Sequence, residues 1–489
     1  MKRQIIFSAL CAAIFLSGCG IYGKYKQPET SVDGLYRDTV ANAATLAADD
    51  TTNMGNLAWE EVFTDPKLQT LIRRALVQNP DLQTAYYRVK EAEATLLSSR
   101  LAYTPSLSLA PQGGVDKIFD NGELARQQAA TQGSSNLNSW NWSYTLPVAA
   151  SWEFDIFGKT LNAKRGAKAA LLQSEAYRQA VQTQIIASVA NCYYTLLMLD
   201  RQLAVSEETA RLWRESVETM KAMKYAGLVN EAAIAQSEAQ SYQIEASLPS
   251  LRRQIRETEN ALCLILQEAP GPIDRGSLEE QMLPTELQAG VPLQLLSNRP
   301  DVKSAEMALA GAFYNTNLAR SAFYPSLTIT GTYGYTNGSG TSILDPAKFI
   351  FSALGQLVAP IFSKGANTAR LRIAKAQYEE ARIAFQSALL NAGAEVSDAL
   401  YLYSSTEKTI QRRDKQVARL RDAVEYTQDL LKYGQSTYLE VLTAQQSLLS
   451  AQLSRVSDEF QKMQAVVNLY HALGGGRTDD TQLKAYVKK

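Results

Sequence analysis

The sequence predicts a mainly α-helical protein with a membrane β part: a long α-helical coiled-coil barrel joined to a β-barrel that is shared between protomers. Three observations support this fold class. Two long proline-free stretches repeat apolar residues at helical spacing, and four short segments alternate apolar with polar residues. The same order of elements occurs twice, at a spacing of roughly 210 residues, which indicates an internal structural duplication.

The N-terminus has the features of a bacterial lipoprotein signal peptide. Lys2-Arg3 precedes an apolar stretch, residues 5–16, that is too short to span a bilayer. The stretch ends in Leu16-Ser17-Gly18-Cys19, which resembles a lipobox. We therefore expect residues 1–18 to be removed and residues 19–66 to form an N-terminal segment anchored to lipid through its first cysteine. The residue after that cysteine is not Asp, which favours sorting to the outer membrane.

The composition excludes some functions. The 49 Lys and Arg residues balance 49 Asp and Glu residues, so no basic face is expected and nucleic acid is not an expected partner. After the signal peptide no run of about eighteen apolar residues occurs, so we expect no transmembrane helix. A membrane-embedded part would then consist of β-strands, because only helices and closed barrels satisfy backbone polar groups in lipid.

The alternating segments predict two strand pairs, at about 103–157 and 324–362. Each pair surrounds a stretch rich in Gly, Asn and Ser, at about 113–138 and 337–346, which is predicted as a loop. A soluble β-sandwich is the alternative, but four strands scattered among helices are too few for one. Alternating segments with aromatic ends are typical of a transmembrane barrel. The alternating apolar residues include Leu107, Trp140, Trp152, Leu327, Tyr335 and Phe349.

The predicted helices are unusually long. Over about residues 366–431, and again over residues 181–220, apolar or small residues recur every three or four positions without a proline. About 65 helical residues would extend roughly 100 Å, which is longer than a globular core. We therefore expect coiled-coil packing along the helices. An ordinary helical bundle is the alternative, but its helices are rarely half as long.

The strand count predicts several copies of the chain. Four strands cannot close a membrane barrel, whose lower limit is about eight. Three chains would supply twelve strands and twelve helical segments around one axis. Within a chain, we expect a first repeat at 67–268, a connector at 269–298, a second repeat at 299–473 and a C-terminal tail at 474–489.

The sequence offers little to an enzyme. Its single histidine, His471, lies in a helix-ending motif, and no phosphate loop, dinucleotide fingerprint or Cys/His metal set occurs. We expect no catalytic residue, no cofactor and no metal site. A lipoprotein hydrolase would need a clustered catalytic set that the sequence lacks. A structural coiled-coil lipoprotein that tethers the envelope would leave the alternating strands unexplained.

Six motifs occur in order along the chain. They are Trp59-x-x-x-Phe63-x-Asp65-Pro66-x-Leu68, Asn79-Pro80-Asp81-Leu82, Leu295-Leu296-Ser297-Asn298-Arg299-Pro300-Asp301-Val302, Pro360-Ile361-Phe362, Ala394-Glu395-Val396-x-Asp398-Ala399-Leu400 and Leu469-Tyr470-His471-Ala472-Leu473-Gly474-Gly475-Gly476. With the duplication and the lipobox, they resemble the TolC-like outer-membrane factor family, specifically the lipoproteins that serve resistance-nodulation-division pumps. The resemblance covers nearly the whole mature chain.

The resemblance implies the protein's assembly and partners. It implies a homotrimer in the outer membrane of a Gram-negative bacterium, in contact with outer-membrane lipid, whose helical part lies in the periplasm. The partners implied are a periplasmic adaptor protein and, through it, an inner-membrane resistance-nodulation-division transporter. The implied function is passive export of drugs or other small molecules. A protein-secretion duct and a metal-efflux duct are the alternatives within the family.

The resemblance also implies residue roles at two helix turns and beside the second of them. Both turns would form the periplasmic tip that meets the adaptor, although turns without a partner are the alternative. Glu440 would contribute one carboxylate per protomer to a ring that narrows the entrance. Thr443, one helical turn on, departs from the acidic pattern and leaves a single ring; a solvated surface glutamate is the alternative. The tip residues are Ala226, Gly227, Leu228, Tyr433, Gly434 and Gln435.

Two cysteines are predicted to lie near each other. Cys192 is 35 positions before Gly227, and Cys263 is 35 positions after Leu228, so an antiparallel hairpin places them at the same height. Whether they form a disulfide stays open. Neighbouring helix axes lie roughly 8–10 Å apart, whereas a disulfide needs Cα atoms within about 7 Å.

The lipobox generates a first prediction, acylation of Cys19. Mass spectrometry of the mature N-terminus should identify a lipid-modified cysteine as the first residue. Cys19→Ala should weaken membrane anchoring while assembly persists, because strands would also hold the protein in the membrane. An unmodified mature chain that starts at another residue would contradict the prediction.

Overall fold

The computed structural model describes residues 22–28, 54–117, 123, 126–127, 130, 140–227, 229–282, 299–336 and 349–476. Cys19 and Leu228 lie outside the described residues. The chain divides into two compact units. The first contains Met1–Pro28, Lys90–Leu172 and Met307–Ile383, and the second contains Glu29–Val89, Gln173–Glu306 and Ala384–Lys489.

The described residues form eight α-helices and five strand segments. The helices are α1 (Trp59–Val62), α2 (Pro66–Gln78), α3 (Pro80–Leu101), α4 (Lys159–Tyr225), α5 (Glu231–Ile265), α6 (Pro300–Ser321), α7 (Ala366–Lys432) and α8 (Tyr438–Ala472). The strand segments are β1 (Ser106–Leu109), β2 (Gln112–Lys117), β3 (Trp140–Phe154), β4 (Ser326–Thr336) and β5 (Phe349–Val358).

The predicted duplication is confirmed by the lengths of these elements. Helices α3 and α6 each have 22 residues, α4 and α7 each have 67, and α5 and α8 each have 35. A 67-residue helix extends about 100 Å. The predicted fold class, mainly helical with a smaller sheet, is therefore confirmed. Within the part of the chain that the structure describes, no helix is both long and apolar enough to cross a membrane.

All five strand segments belong to one antiparallel sheet with four strand positions. Strands β3, β4 and β5 follow one another, and β1 and β2 both pair with the opposite edge of β3. Ser106 pairs with Ser151, and Gln112 pairs with Thr145, which is a single unbroken register. The two segments are therefore one strand interrupted around Pro111, in agreement with the four strands predicted per chain.

The predicted boundary of the first loop is wrong. Residues 113–117 were expected to begin a loop because of Gly113 and Gly114, but they belong to β2. Strands are predicted from alternating apolar and polar side chains. Glycine has no side chain, so the alternation cannot be recognised at Gly113 and Gly114. Pairing with residues 140–144 of β3, which the local sequence does not reveal, holds this segment extended.

The register places most apolar side chains of the sheet on one face. Aligned across the four positions, Leu107 lies beside Ala150, which lies beside Gly331 and then Ala353. On each strand, every second residue counted from these four lies on the same face. The opposite face carries Ser or Thr at many positions of β1, β3 and β4, and Ile350, Leu354 and Val358 on β5. The apolar face includes Leu109, Trp140, Leu146, Val148, Trp152, Phe154, Ile329, Tyr333, Phe349, Phe351 and Leu357.

A proline in the middle of β3 is accommodated by a glycine in β4. Pro147 has no N–H to donate to the ladder, so proline is rare in a strand with neighbours on both sides. Its partner in β4 is Gly334. A Cβ added at Gly334 would lie 2.5 Å from the Leu146 carbonyl oxygen and 2.6 Å from Pro147 Cα. The two backbones therefore approach each other more closely than any other residue at position 334 would permit.

Helices α4 and α5 form an antiparallel hairpin whose register is marked by ion pairs. Going away from the turn, Lys221 pairs with Glu238 at 3.2 Å, Arg214 with Glu245 at 3.5 Å, and Glu207 with Arg252 at 2.8 Å. Each step is seven residues on both helices, as in a coiled coil. The side chains are largely exposed, so the pairs indicate the register and add little stability.

The next step of seven places two carboxylates opposite each other, Asp200 on α4 and Glu259 on α5. Arg275, from the segment after α5, inserts between them. Its guanidinium donates to Asp200 at 3.0 Å and to Glu259 at 2.6 Å. The Arg275 side chain is only 16% exposed, so its charge compensates both acids away from most of the solvent. The second hairpin, α7 with α8, pairs Arg413 with Asp458 at 3.0 Å.

The same register locates the two cysteines. It places Cys263 level with Leu196, one helical turn from Cys192. Both thiols are free, and Cys263 is buried. Burial raises the pKa of the Cys192 thiol, which lowers its reactivity.

The close approach of β3 and β4 generates a second prediction. Gly334→Ala should lower the free energy of unfolding by about 1–3 kcal/mol, as overpacking does, because neither backbone neighbour can move aside without breaking the ladder. Thermal unfolding of the purified protein would measure it. The control is Gly331→Ala in the same strand, where the nearest atom to the added Cβ is 3.9 Å away. Equal effects of the two substitutions would contradict the prediction.

Candidate functional site: the helix turns and the start of α8

Each long helix ends in a glycine turn. Gly227 follows α4 with a φ of +75°, and Gly434 follows α7 with a φ of +69°. The Gly434 amide donates to the Leu431 carbonyl at 3.1 Å, and the Gln435 amide donates to the Leu430 carbonyl at 2.9 Å, which together close a Schellman motif. No atom lies within 4 Å of a Cβ added at either glycine. The left-handed backbone, rather than crowding, therefore favours glycine at both turns.

The tip residues predicted from the sequence are exposed wherever the structure describes them. Each turn also presents a tyrosine: Tyr225 is 94% exposed and Tyr433 is 80% exposed. Tyrosine combines an apolar ring with a hydroxyl and is favoured at protein interfaces. Tyr225 was not singled out in the sequence, although it occupies nearly the same place in the first repeat. The exposed predicted residues are Ala226, Gly227, Tyr433, Gly434 and Gln435.

An apolar cluster behind the turns joins the start of α8 to the first hairpin. Tyr438 and Leu442 of α8 are 8% and 5% exposed. Burial raises the pKa of Tyr438, and the nearby Ser237 hydroxyl of α5 opposes that shift. Sequence reasoning missed this contact, because it joins the two repeats. The buried members are Ala210, Trp213, Met220, Ile234, Ile244, Tyr438 and Leu442.

The cluster determines where Glu440 and Thr443 point. Because Tyr438 and Leu442 face inward, these two side chains lie on the other side of α8, and both are exposed. The Ser436 hydroxyl donates to the Glu440 carboxylate. The Thr443 hydroxyl donates to the Leu439 carbonyl oxygen at 2.8 Å. Glu440 thus presents an anion in the first turn of a helix, where the helix dipole stabilises it.

A buried arginine brings together three of the motifs found in the sequence. Arg299 is 3% exposed. It donates to Asp301 at 2.7 Å, to Glu395 at 2.7 Å and to the Ala472 carbonyl at 2.8 Å. Burial, reinforced by the Arg299 charge, lowers the pKa of His471, so this histidine is neutral near pH 7. The three motifs therefore meet in an ion-paired junction around Arg299.

The opening and closing motifs also meet. The Tyr470 hydroxyl donates to the Leu57 carbonyl at 3.0 Å, and its ring packs edge-on against Phe63 at 5.6 Å. A Cβ added at Gly475 would lie 2.3 Å from the Tyr470 ring. Close packing on this tyrosine thus explains Gly475.

Comparison with known proteins places the chain in a family. The model for outer membrane efflux proteins matches residues 71–267 and 291–475. The chain belongs to the outer membrane efflux protein family. Its identity to the cation efflux system protein CusC of Escherichia coli is 28% over 471 residues, covering 95% of this chain and 98% of CusC. Its identity to the toluene efflux pump outer membrane protein TtgC of Pseudomonas putida is also 28%, over 492 residues, covering 98% of this chain and 97% of TtgC.

Solved structures of such channels have the same fold. A crystal structure of CusC superposes with a TM-score of 0.81 at 25% identity, covering 94% of this chain and 100% of that one. The open state of the MtrE outer membrane channel of Neisseria gonorrhoeae superposes with a TM-score of 0.80 at 25% identity, covering 94% and 98%. This outer membrane efflux protein is therefore a channel of the Gram-negative outer membrane and not an enzyme, as predicted.

The turn geometry generates a third prediction. In this outer membrane efflux protein, Gly434→Ala should destabilise the turn by about 1–2 kcal/mol, the cost of the left-handed conformation for a residue with a Cβ. The Gln435 amide should then exchange with solvent roughly five- to thirtyfold faster in hydrogen-exchange mass spectrometry. As a control, Gly311→Ala adds the same methyl group into open space without a positive φ. Unchanged exchange at Gln435 in the Gly434 variant would refute the role of the conformation.

Proposed function

We propose that three copies of this chain form a passive export duct, which is the exit of a tripartite pump for drugs or other small molecules. The observation that carries the proposal is the incomplete sheet of the single chain. One face of the sheet is apolar in all four strand positions, except for Lys117 at the end of β2, and many of its large side chains are exposed in the single chain. Lipid is the environment that suits such a face.

The edges of the sheet support assembly with further copies. β5 is exposed along all of its ten residues and contains no charged side chain. An exposed, uncharged edge strand pairs with other strands or aggregates. Pairing it with the β1 and β2 edge of a neighbouring copy would satisfy both edges. Three copies would supply twelve strand positions, which is enough to close a sheet in a membrane.

The helix turns support docking of a periplasmic adaptor, and through it of an inner-membrane transporter. The second compact unit presents two turns, each with a largely exposed tyrosine. Aromatic residues of this kind contribute strongly to protein interfaces. In a trimer each of the two turns would occur three times, which gives two sets of three contacts.

Glu440 supports an entrance ring. It lies six residues after Gly434, on the exposed side of α8, and no basic side chain among the described residues pairs with it. Threefold repetition would place three carboxylates around one axis, and the field of such a ring attracts cations. Thr443, one turn farther along, would add three hydroxyl groups.

The transporter partner, more than the duct itself, would select the exported solute. Similar proteins are named for different cargo: cation efflux for CusC, toluene efflux for TtgC and pyoverdine export for OpmQ. One kind of duct therefore serves chemically different pumps, which supports selection by the pump partner and keeps a metal-efflux duct as an alternative. A protein-secretion duct is a further alternative, and a structural tether would conduct no ions.

A fourth prediction tests the duct and its entrance. Reconstituted in a planar bilayer, the protein should conduct ions with cation preference. Glu440→Gln should reduce that preference at nearly constant volume, and Glu440→Ala should also raise the single-channel conductance, because it removes both the charge and the bulk.

The control removes a carboxylate from the first hairpin, away from Glu440. Glu218→Gln leaves Lys221 with its second partner, Glu238, and should not change conductance or selectivity. A protein that forms no channel would contradict the duct. A conducting protein in which both Glu440 variants behave like the unchanged chain would place the constriction elsewhere.

A further inference from the structure

The two returning helices carry matching faces of uncharged polar residues. On α5 the face consists of Gln236, Gln240, Gln243, Ser247, Ser250 and Gln254, and on α8 it consists of Thr443, Ser447, Ser450, Ser454, Ser457 and Gln461. The spacing of three and four keeps each set on one side of its helix. All twelve residues are exposed or half-buried. We call these two sets the neutral stripes.

The duplication aligns the two stripes position by position. Helix α5 begins at Glu231 and α8 begins at Tyr438, a difference of 207 residues. Adding 207 to each member of the first stripe gives the corresponding member of the second, from Gln236 and Thr443 to Gln254 and Gln461. Each stripe spans about 27 Å of helix. Both repeats therefore have the same uncharged face at the same distance from their turns.

Charged residues avoid the stripes but not the other exposed faces. Asp, Glu, Lys and Arg make up 20% of the chain, and on soluble proteins they concentrate on exposed faces. The outgoing helices follow this rule, with exposed charges at the same three- and four-residue spacing. On α4 they are Glu208, Arg211, Glu215 and Glu218, and on α7 they are Lys408, Arg412, Lys415 and Arg419.

The ion pairs of the first hairpin lie off its stripe. Glu238, Glu245 and Arg252 of α5 face α4 through the heptad ladder. Gln236, Gln243 and Ser250 each precede one of these by two residues, which turns them about 160° away. The first stripe is thus neither the seam of its own hairpin nor part of the apolar cluster.

A lumen wall provides a physical reason for an exposed face without charge. In a trimer, each residue on the lumen face occurs three times around a narrow axis. One carboxylate or ammonium per chain would therefore become a ring that retains ions of opposite sign and repels those of like sign. The outward face of the same helices meets bulk periplasm, where charge increases solubility and obstructs nothing. Glu440 lies one turn before Thr443, so the second stripe begins at the proposed entrance ring.

We infer that the neutral stripes line the lumen for about 27 Å beyond the Glu440 ring, and that this wall admits uncharged, cationic and anionic amphipathic solutes alike. The inference rests on the proposed duct and deepens it. Amide and hydroxyl groups exchange hydrogen bonds with water and cargo without a net charge. Charge discrimination in this part of the duct is then confined to the ring at the entrance.

Adding charge to a stripe tests the inference. In planar bilayers under a salt gradient, Ser450→Glu should raise the potassium-to-chloride permeability ratio at least about twofold, and Ser450→Lys should lower it by a similar factor, since three new charges would face one axis. Gln243→Glu should act in the same direction as Ser450→Glu. The matched control is Lys415→Glu, a larger charge change on an outgoing helix, which should leave the ratio unchanged because salt screens charges beyond about 8–10 Å.

A thiol variant keeps the test valid if charged variants assemble poorly. Ser450→Cys, close in size to the original and combined with Cys192→Ser and Cys263→Ala, should lose conductance when a cationic thiosulfonate reagent is added. The equivalent Lys415→Cys channel should not.

The outcomes separate the inference from the function on which it rests. If the channel conducts but its permeability ratio is unchanged by the charged variants of Ser450 and Gln243, the inference is wrong while the proposed function stands. The same holds if Lys415→Glu changes the ratio as strongly as they do. An unmodified protein that forms no channel contradicts the proposed function itself.

Discussion

The packing of each long helix against its returning partner determines the geometry of the functional parts. A 67-residue helix gains little by itself, since most helical stability in proteins comes from packing of an apolar stripe. In the first hairpin, the heptad register that buries this stripe also places Asp200 opposite Glu259. Arg275 then becomes necessary to compensate the two carboxylates. Once the register is set, the glycine turn, the cluster behind it and the exposed faces follow at defined positions.

The sheet, unlike the hairpins, leaves its apolar face exposed in the single chain. A helical hairpin can bury its own apolar stripe, but a four-position sheet cannot cover its own apolar face. In the proposed duct, lipid would cover the apolar face that the single chain leaves open. The close contact of Pro147 with Gly334 shows how little freedom the register allows within the sheet.

Charge is distributed according to the surroundings of each face. Ion pairs occupy the seams between helices, a buried arginine joins the segments of Arg299, Glu395 and Ala472, and the exposed sides of the outgoing helices carry many charges. The returning helices differ, since Glu440 precedes a face without charge. In the proposed duct, a lumen wall without charge would suit varied cargo, because a fixed charge along a narrow path would retain some solutes and repel others.

The sequence by itself determined features that depend on neighbouring residues along the chain. These include both long helices, the glycine turns at Gly227 and Gly434, the alternating strands and the duplication, because periodicity and backbone preference act locally. Only the tertiary structure decided which distant elements meet. It extended the first strand through residues 112–117, inserted Arg275 between two acids, buried Tyr438 against the first hairpin and thereby turned Glu440 outward. These contacts depend on register between segments far apart in sequence, and a local pattern does not encode that register.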